Sequence, residues 1–452
     1  MVRVFIDRED ETGILVEEWN KNHGRLIILY GRRRIGKTRL ITEFSKDKPG
    51  IMVFAEDTAP RLQIRNMQSE CAKFFEDDLL ASLDLTTWDQ LFTYIAQKSL
   101  PERTYLIIDE FTYLIKNDPS ILSGLQKSWD TKLSMSNWCI ILCGSMLGLM
   151  SDLALSSTSP LYGRRTRDIF LEPLPFMHAR KFLSVPFKEA LRVYLTIGGV
   201  PEYLLKAEDY RSFREFIGRE FFNRYGYFYR EPYFLLTQEF RELKMYQSIL
   251  NAVAIGNTTP AAIAQFCGTD ARHLYPYLES MARLGIIERE EPAFLKSKNG
   301  VYRVKDSLFD FWFNFVFPHR QEIETSGYVP ADQELDSYFG RRYESFVRRD
   351  FIPGLFPGYR TGRWWYKEDE IDLIAFEKKT STIIFGEVKW GDLTRSDVKN
   401  LLNRLKRKSK LVQHEEYVNE KFLVIAGTID EKAELLDEGF LVYDMSDIDR
   451  LM

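Results

Sequence analysis

Through the first 180 or so residues, short and almost wholly apolar runs alternate with segments whose apolar residues recur at helical spacing. The runs lie at 26–30, 50–55, 105–108, 138–142 and 168–171. Strands buried on both faces read as continuous apolar runs, whereas a strand with one wet face alternates. The pattern therefore predicts an α/β fold, a parallel sheet with helices on both sides. From 181 to 243 it turns helical and aromatic, broken at Ile197-Gly198-Gly199-Val200-Pro201, which suits a helical lid. From 244 to 317 it reads as a helix, a Thr258-Thr259-Pro260 start to a short helix, a turn at Gly268, and a helix carrying Leu274, Leu278 and Met281. A hairpin-like stretch through Val301 and Val304 comes next. That order predicts a winged helix-turn-helix, which with only Arg272, His273 and Arg283 as basic groups on its recognition helix reads either as a groove reader or as a packing module between the ATPase and the rest. Pro318, Gly327 and Pro330 mark 318–340 as a linker, and 341–452 returns to mixed helix and strand. The expected domains are thus 1–180, 181–243, 244–317, the linker and 341–452.

Directly after the first apolar run stand Gly31-Arg32-Arg33-Arg34-Ile35-Gly36-Lys37-Thr38, a match to GxxxxGK[ST], followed by the helix-forming Arg39-Leu40-Ile41. Such a loop turns its backbone N–H groups inward around phosphates; Lys37 reaches the β and γ phosphates and the Thr38 hydroxyl ligates magnesium. The run ending Ile107-Ile108-Asp109-Glu110 places two acids at a strand's carboxyl end. There Asp109 would hold the magnesium and Glu110 would orient or deprotonate the attacking water. Ser145, ending the fourth run, reads either as a γ-phosphate sensor or as a strand cap. The arginines of Tyr162-Gly163-Arg164-Arg165-Thr166-Arg167 read either as a finger, in cis or across a subunit boundary, or as a solvated basic turn. ATP or ADP with magnesium is the expected ligand.

Charge narrows the choice of partners. With 62 basic and 66 acidic residues, net −4, the whole-molecule field does not attract nucleic acid, so any such contact must come from local patches. The four cysteines, Cys71, Cys139, Cys143 and Cys267, lack CxxC spacing and nearby histidines, and read as reduced thiols. No apolar stretch approaches the roughly 18 residues of a membrane span, and no charged-then-apolar leader is seen, so a cytosolic protein without membrane contact is expected.

These motifs resemble the archaeal P-loop ATPases of the AAA+/STAND group. The likeness rests on Phe5-Ile6-Asp7-Arg8-Glu9, the two nucleotide motifs, Leu142-Cys143-Gly144-Ser145, the Tyr162-Gly163-Arg164-Arg165 loop and Gly199-Val200-Pro201, in that order over residues 1 to about 310. The resemblance implies that the segment holding Arg8, together with Pro201, lies near the adenine, that Ser145 is the sensor, and that Arg164 or Arg165 is the finger. It also implies a switch in which lid and winged helix report the nucleotide state.

The last hundred residues carry a second constellation. Glu344 lies in a helical run, Asp372 opens the strand Leu373-Ile374-Ala375, and Glu387 and Lys389 flank Val388 at the end of another strand. Side chains two apart on a strand share a face, so Glu387 and Lys389 project together and Asp372 can meet them from a neighbour. Two carboxylates can hold magnesium, with manganese as an alternative, while the ammonium steadies the attacking water. The set resembles the PD-(D/E)xK nuclease core, with Glu344 as its helix acid and metal ligand. Arg341, Arg342, Arg348, Arg349, Arg360 and Arg363 lie close in sequence to these acids. The helical run from Arg395 to Lys410 is also basic, with Val398, Leu401, Leu402 and Leu405 as its buried side, leaving its charges to solvent or phosphate.

The expectation is an ATP-binding, ATP-hydrolysing switch coupled to a metal-dependent DNA nuclease. Two alternatives stay open: an ATP-switched DNA-binding or signalling regulator with a non-cleaving terminal domain, and a remodeller acting on proteins. Assembly with further copies or with a protein partner is left open too.

Overall fold

The computed structural model describes residues 6–295, 300–414 and 416–452, and they form two compact units, 1–173 and 174–452. In the first unit five strands, β1 (Arg25–Gly31), β2 (Gly50–Phe54), β3 (Thr104–Asp109), β4 (Trp138–Gly144) and β5 (Arg167–Leu171), build one sheet. The order is β2-β3-β4-β1-β5 and every pairing is parallel. The continuous apolar runs are explained by burial: Ile27, Ile28 and Leu29 of β1 and Ile140, Ile141 and Leu142 of β4 have no exposed surface. Parallel strands need crossovers, which helices such as Lys37–Ser45 and Pro60–Phe75 supply.

This order sets the site. β4 lies between β1 and β3, in register Ile28↔Leu142 and Ile108↔Leu142, so the phosphate-type loop, the two acids and Ser145 all emerge at one edge of the sheet. Gly144 keeps that edge narrow, because a Cβ there would come within 2.7 Å of the Met150 sulfur and 2.9 Å of Thr112 Cγ2.

The second unit begins earlier than the expected boundary near 180, and an aromatic core gives the reason. Rings of the helices Phe213–Glu220 and Tyr227–Glu239 pack onto those of Ser307–Phe311 and Asp332–Phe346: Phe221 stacks on Phe228 at 4.9 Å, Phe311 lies 4.9 Å from Phe221 and 5.5 Å from Tyr338, and Phe213 lies 5.3 Å from Phe339. Offset and edge-to-face pairs of this kind add to area burial. The segment read as a lid thus shares its core with the rest of this unit. Residues 318–340 also depart from expectation. They are not a linker: the helices Arg320–Thr325 and Asp332–Phe346 occupy most of them, with Leu335, Tyr338 and Phe339 buried, and the Pro and Gly residues punctuate helices.

Three helices, Leu243–Ala254, Pro260–Cys267 and Ala271–Arg283, precede the antiparallel hairpin β6 (Ile287–Glu290) and β7 (Val301–Val304). The terminal sheet contains β8 (Arg360–Tyr366), β9 (Asp369–Glu377), β10 (Thr382–Val388), β11 (Asn419–Ala426) and β12 (Leu441–Asp444), ordered β12-β11-β10-β9-β8. β8, β9 and β10 are antiparallel, and β10, β11 and β12 parallel. The helix Arg395–Ser409 makes the β10–β11 crossover and buries Val398, Leu402 and Leu405 on the sheet.

The turn at Gly199 shows how tightly this unit is closed. Its carbonyl accepts from the Leu174 N–H at 2.8 Å, and a Cβ on Gly199 would lie 1.8 Å from the Leu174 carbonyl oxygen. Gly199→Ala should therefore cost about 1–3 kcal/mol, since backbone must move; urea unfolding with an unchanged midpoint would contradict this packing.

Candidate functional site

The loop after β1 is shaped by close approach and by left-handed backbone. A Cβ on Gly31 would lie 2.6 Å from the Leu171 carbonyl, and Arg34 and Gly36 sit at φ 70° and 96°, just before the helix opening at Lys37. Lys37 is 5% exposed and its Nζ donates to the loop's own carbonyls, Gly31 O and Arg32 O, at 3.0 Å each. Burial pulls its pKa below the ordinary ammonium value, while Glu110 and Asp109 oppose that shift. Such an ammonium is poised for an anion at the loop.

The acids are wired to this loop. Thr38 Oγ1 donates to Asp109 Oδ2 at 2.6 Å, the Glu110 N–H donates to Asp109 Oδ1 at 2.9 Å, and Ser145 Oγ donates to Glu110 Oε2 at 2.7 Å. Glu110 itself is in the left-handed region, φ 52°, which turns its side chain at the strand end. Thr38, Asp109, Glu110 and Ser145 thus form one connected chain. Ile35 is fully buried beneath the loop, Arg33 donates to the Tyr113 hydroxyl at 3.1 Å, and Arg39 lies 3.9 Å from Glu43.

Other expected residues are placed differently. Phe5 lies outside the described residues. Arg8 is buried and donates to the Glu172 carbonyl at 2.7 Å and to the Ile35 carbonyl at 3.5 Å, so it props the loop from behind. Arg164 makes a two-pronged ion pair with Asp130, both contacts 2.7 Å, and Arg165 pairs with Asp168 at 3.0 Å. Both are committed to acids of their own unit, the arrangement of a basic turn. Pro201 opens the helix Pro201–Ala207 in the second unit.

In the terminal sheet the antiparallel register Gly386↔Leu373 sets Glu387 beside Asp372. Both are buried, 4% and 2% exposed. Lys389 Nζ bridges them, 2.9 Å from Asp372 Oδ2 and 3.0 Å from Glu387 Oε2, and the Val388 N–H donates to Asp372 Oδ2 at 3.1 Å. Burial raises the Glu387 pKa and the adjacent Asp372 adds to it; Asp372, held by Lys389 and the Val388 N–H, is lowered despite burial. Glu344, from the helix before, has its pKa raised to about 7 by burial and by the Asp372 charge. It feels that charge, yet among the described residues no three acid, His or Cys side chains gather into a cation cage. The three carboxylates expected as a metal set do not gather: Asp372 and Glu387 converge, and Glu344 lies within electrostatic reach of Asp372.

Local pattern misses Lys408. By sequence it is one more solvated charge of the basic helix, but its Nζ donates to Glu387 Oε1 at 2.9 Å and to the Glu370 carbonyl at 2.8 Å. The available signal is its position three residues after the buried Leu405, on the flank of the apolar stripe. The same helix corrects a second expectation: Arg395 pairs with Glu431, Glu434 and Glu438, and Lys399 with Glu438, so these charges are not left to phosphate. Of the arginines near the acids, Arg348 donates to the Asp372 carbonyl at 2.7 Å and Arg363 pairs with Glu370 at 2.6 Å.

Residues 5–207 match the family described as an ATPase domain predominantly from Archaea, and residues 312–401 match one described as Archaea bacterial proteins of unknown function. An uncharacterized protein of Methanocaldococcus jannaschii is 33% identical over 457 residues, 98% of this chain and 100% of that protein. An uncharacterized ATP-binding protein of the same organism is 51% identical over 45 residues, 10% of this chain and 76% of its own length. Among solved structures, a Walker-type ATPase of Pyrococcus abyssi superposes with a TM-score of 0.51 at 20% identity, covering 69% of this chain and 96% of that one, a likeness of fold. With a relative alike along nearly its whole length and a parallel sheet that gathers loop, acids and serine at one edge, this chain belongs to the archaeal P-loop ATPase family.

Proposed function

We propose that the protein is an ATP-hydrolysing switch whose second unit carries a phosphodiester-cleaving site acting on DNA. The observation that carries the first half is the hydrogen-bonded chain from Thr38 through Asp109 and Glu110 to Ser145. When ATP enters, Lys37 exchanges two carbonyls for the β and γ phosphates. Thr38 and Asp109 would hold magnesium, which when bound neutralises charge on the phosphoryl oxygens. Glu110 orients a water for in-line attack and accepts its proton. Ser145 holds the Glu110 carboxylate and can trade that bond for the γ-phosphate, so that nucleotide state and base orientation are read by one hydroxyl.

The second half rests on Asp372, Glu387 and Lys389, with Glu344 next to them, on a sheet whose mixed order agrees with a PD-(D/E)xK-type core. Asp372 and Glu387 would hold magnesium or manganese, which when bound supplies a Lewis acid to the scissile phosphate. Lys389 would orient the attacking water from the same face, and Glu344 would take up its proton.

The helices 243–283 with the hairpin β6–β7 have the order of a winged helix. The stretch after β6 docks on the terminal sheet, with the Ala293 N–H donating to the Arg363 carbonyl at 2.8 Å and Phe294 packed 4.9 Å from Phe376. That contact supports a packing module over a wing that reads a groove. A second reading, a switch with a non-cleaving terminal domain, is favoured by Lys389 and Lys408 satisfying both oxygens of Glu387.

Lys37→Ala should abolish ATP binding, read by nucleotide titration. Glu110→Gln should bind ATP with near-normal affinity while turnover falls about 10²–10⁴-fold; turnover at the wild-type rate would remove Glu110 from its role. For Glu344 the sign is set by its raised pKa. The folded protein holds this proton more tightly than the unfolded chain, so the associated stability is present at low pH and is lost as pH rises through about 7. Glu344→Gln should consequently gain melting temperature over the wild type at pH 8.5 and lose that advantage by pH 5; a constant difference across this range would show that Glu344 does not titrate there.

A further inference from the structure

A cleft of about 570 Å³ opens in the second unit, bounded by the end of the helix Leu243–Ala254, strand β7 and the helix carrying Glu344. Seven lysine and arginine side chains line it against four acids, Glu344 among them. Most of the cations already have partners. Arg342 donates to the Ser307 hydroxyl and lies 3.4 Å from Asp310, Arg348 reaches the Asp372 carbonyl, Arg349 pairs with Glu288, and Arg363 with Glu370. These contacts hold the guanidiniums in place and commit their charge to neighbouring acids and carbonyls. Lys305 and Arg341 are different: both side chains are exposed, both line the cleft, and among the described residues neither side chain makes a hydrogen bond or ion pair, although Lys305 accepts from Arg342 through its carbonyl and Arg341 adds its field at Asp310.

Two features define the ligand. A guanidinium fork matches phosphate oxygens bidentately, and Arg341 offers one that no acid occupies, beside the Lys305 ammonium, so this part of the cleft suits a polyanion. No aromatic ring lines the cleft among the described residues, so it offers bases no stacking platform and addresses the backbone alone. Its volume is that of a site for one small ligand. A duplex, whose two backbones stand about 12 Å apart across the major groove with base pairs filling the space between them, is too broad to enter. Glu344 on the inner wall leads to Asp372, whose carbonyl Arg348 already holds.

We propose that this cleft seats the sugar-phosphate backbone of single-stranded DNA, with Arg341 and Lys305 clamping successive phosphates and the strand running toward Glu344, Asp372 and Glu387. Cleavage of the bound strand rests on the nuclease reading proposed for the terminal sheet; binding itself does not.

The test is fluorescence anisotropy of an end-labelled oligodeoxythymidine, and of a duplex of equal length, with full-length protein in EDTA over a series of salt concentrations. The single strand should bind more tightly than the duplex. Arg341→Gln combined with Lys305→Gln should weaken it about tenfold or more, and make the log–log salt slope shallower by about 1.4, since each single-strand phosphate contact contributes roughly 0.7. Lys378→Gln, at the far end of β9 from Asp372, controls for loss of bulk charge, and melting curves confirm that each variant is folded. A double variant that binds like the wild type, or a duplex that binds better than the single strand, would overturn the proposal. Replacing EDTA with manganese separates the two readings: a strand bound by Arg341 and Lys305 but left uncut sinks the nuclease and leaves the cleft standing, whereas cutting with unaltered binding by the double variant sinks the cleft.

Discussion

An ammonium removed from water is costly unless it is met by oxygen. Lys37, 5% exposed, is met by the carbonyls of its own loop, and that constraint organises the first unit. Those carbonyls can face inward only because Arg34 and Gly36 adopt left-handed backbone and because Gly31 leaves no side chain against Leu171. The loop is placed by β1, which is placed by β4 and β5 on either side. Insertion of β4 between β1 and β3 then brings Asp109 within 2.6 Å of Thr38 and Ser145 within 2.7 Å of Glu110. The gathering of loop, acids and serine is thus a consequence of strand order and needs no separate device.

The second unit solves a related problem with acids. Asp372 and Glu387 are buried side by side, and like charges so close are tolerated because Lys389 and Lys408 neutralise them from two directions. At Glu344 burial and the Asp372 charge outweigh the fields of Arg363, Arg348 and Lys389, and its pKa rises to about 7. Two buried carboxylates with a lysine between them are a costly arrangement, of the kind the proposed cleavage site would require. An apolar core of the same volume would fold without that penalty.

Much of this was legible in the residues. The five parallel strands read correctly, most plainly β1 and β4, where burial on both faces leaves continuous apolar runs, and the loop and the two acids could be placed at strand ends because they lie within a few consecutive positions. Asp372, Glu387 and Lys389 were brought to one place by strand alternation alone. The features that escaped were long-range. Lys408 turns inward because Glu387 lies under its helix, Arg395 finds three acids more than thirty residues away, and the helices after Leu174 share an aromatic core with Phe311 and Tyr338. Local periodicity carries no record of such partners. The supposed linker misled for a related reason: Pro318, Gly327 and Pro330 break helices, and a break looks the same whether the helices on either side pack or dangle.

Central to the proposed function is the coupling, within one chain, of nucleotide hydrolysis to phosphodiester cleavage. The most direct measurement is the rate at which the full-length protein cuts labelled single-stranded and branched DNA in magnesium or manganese with ATP, with ADP, with a non-hydrolysable ATP analogue and with no nucleotide. Cutting that depends on the metal and changes with the nucleotide is the predicted result. DNA that stays intact in every condition, with a preparation that binds it and turns over ATP, would contradict the coupling and leave a nucleotide-switched binding protein.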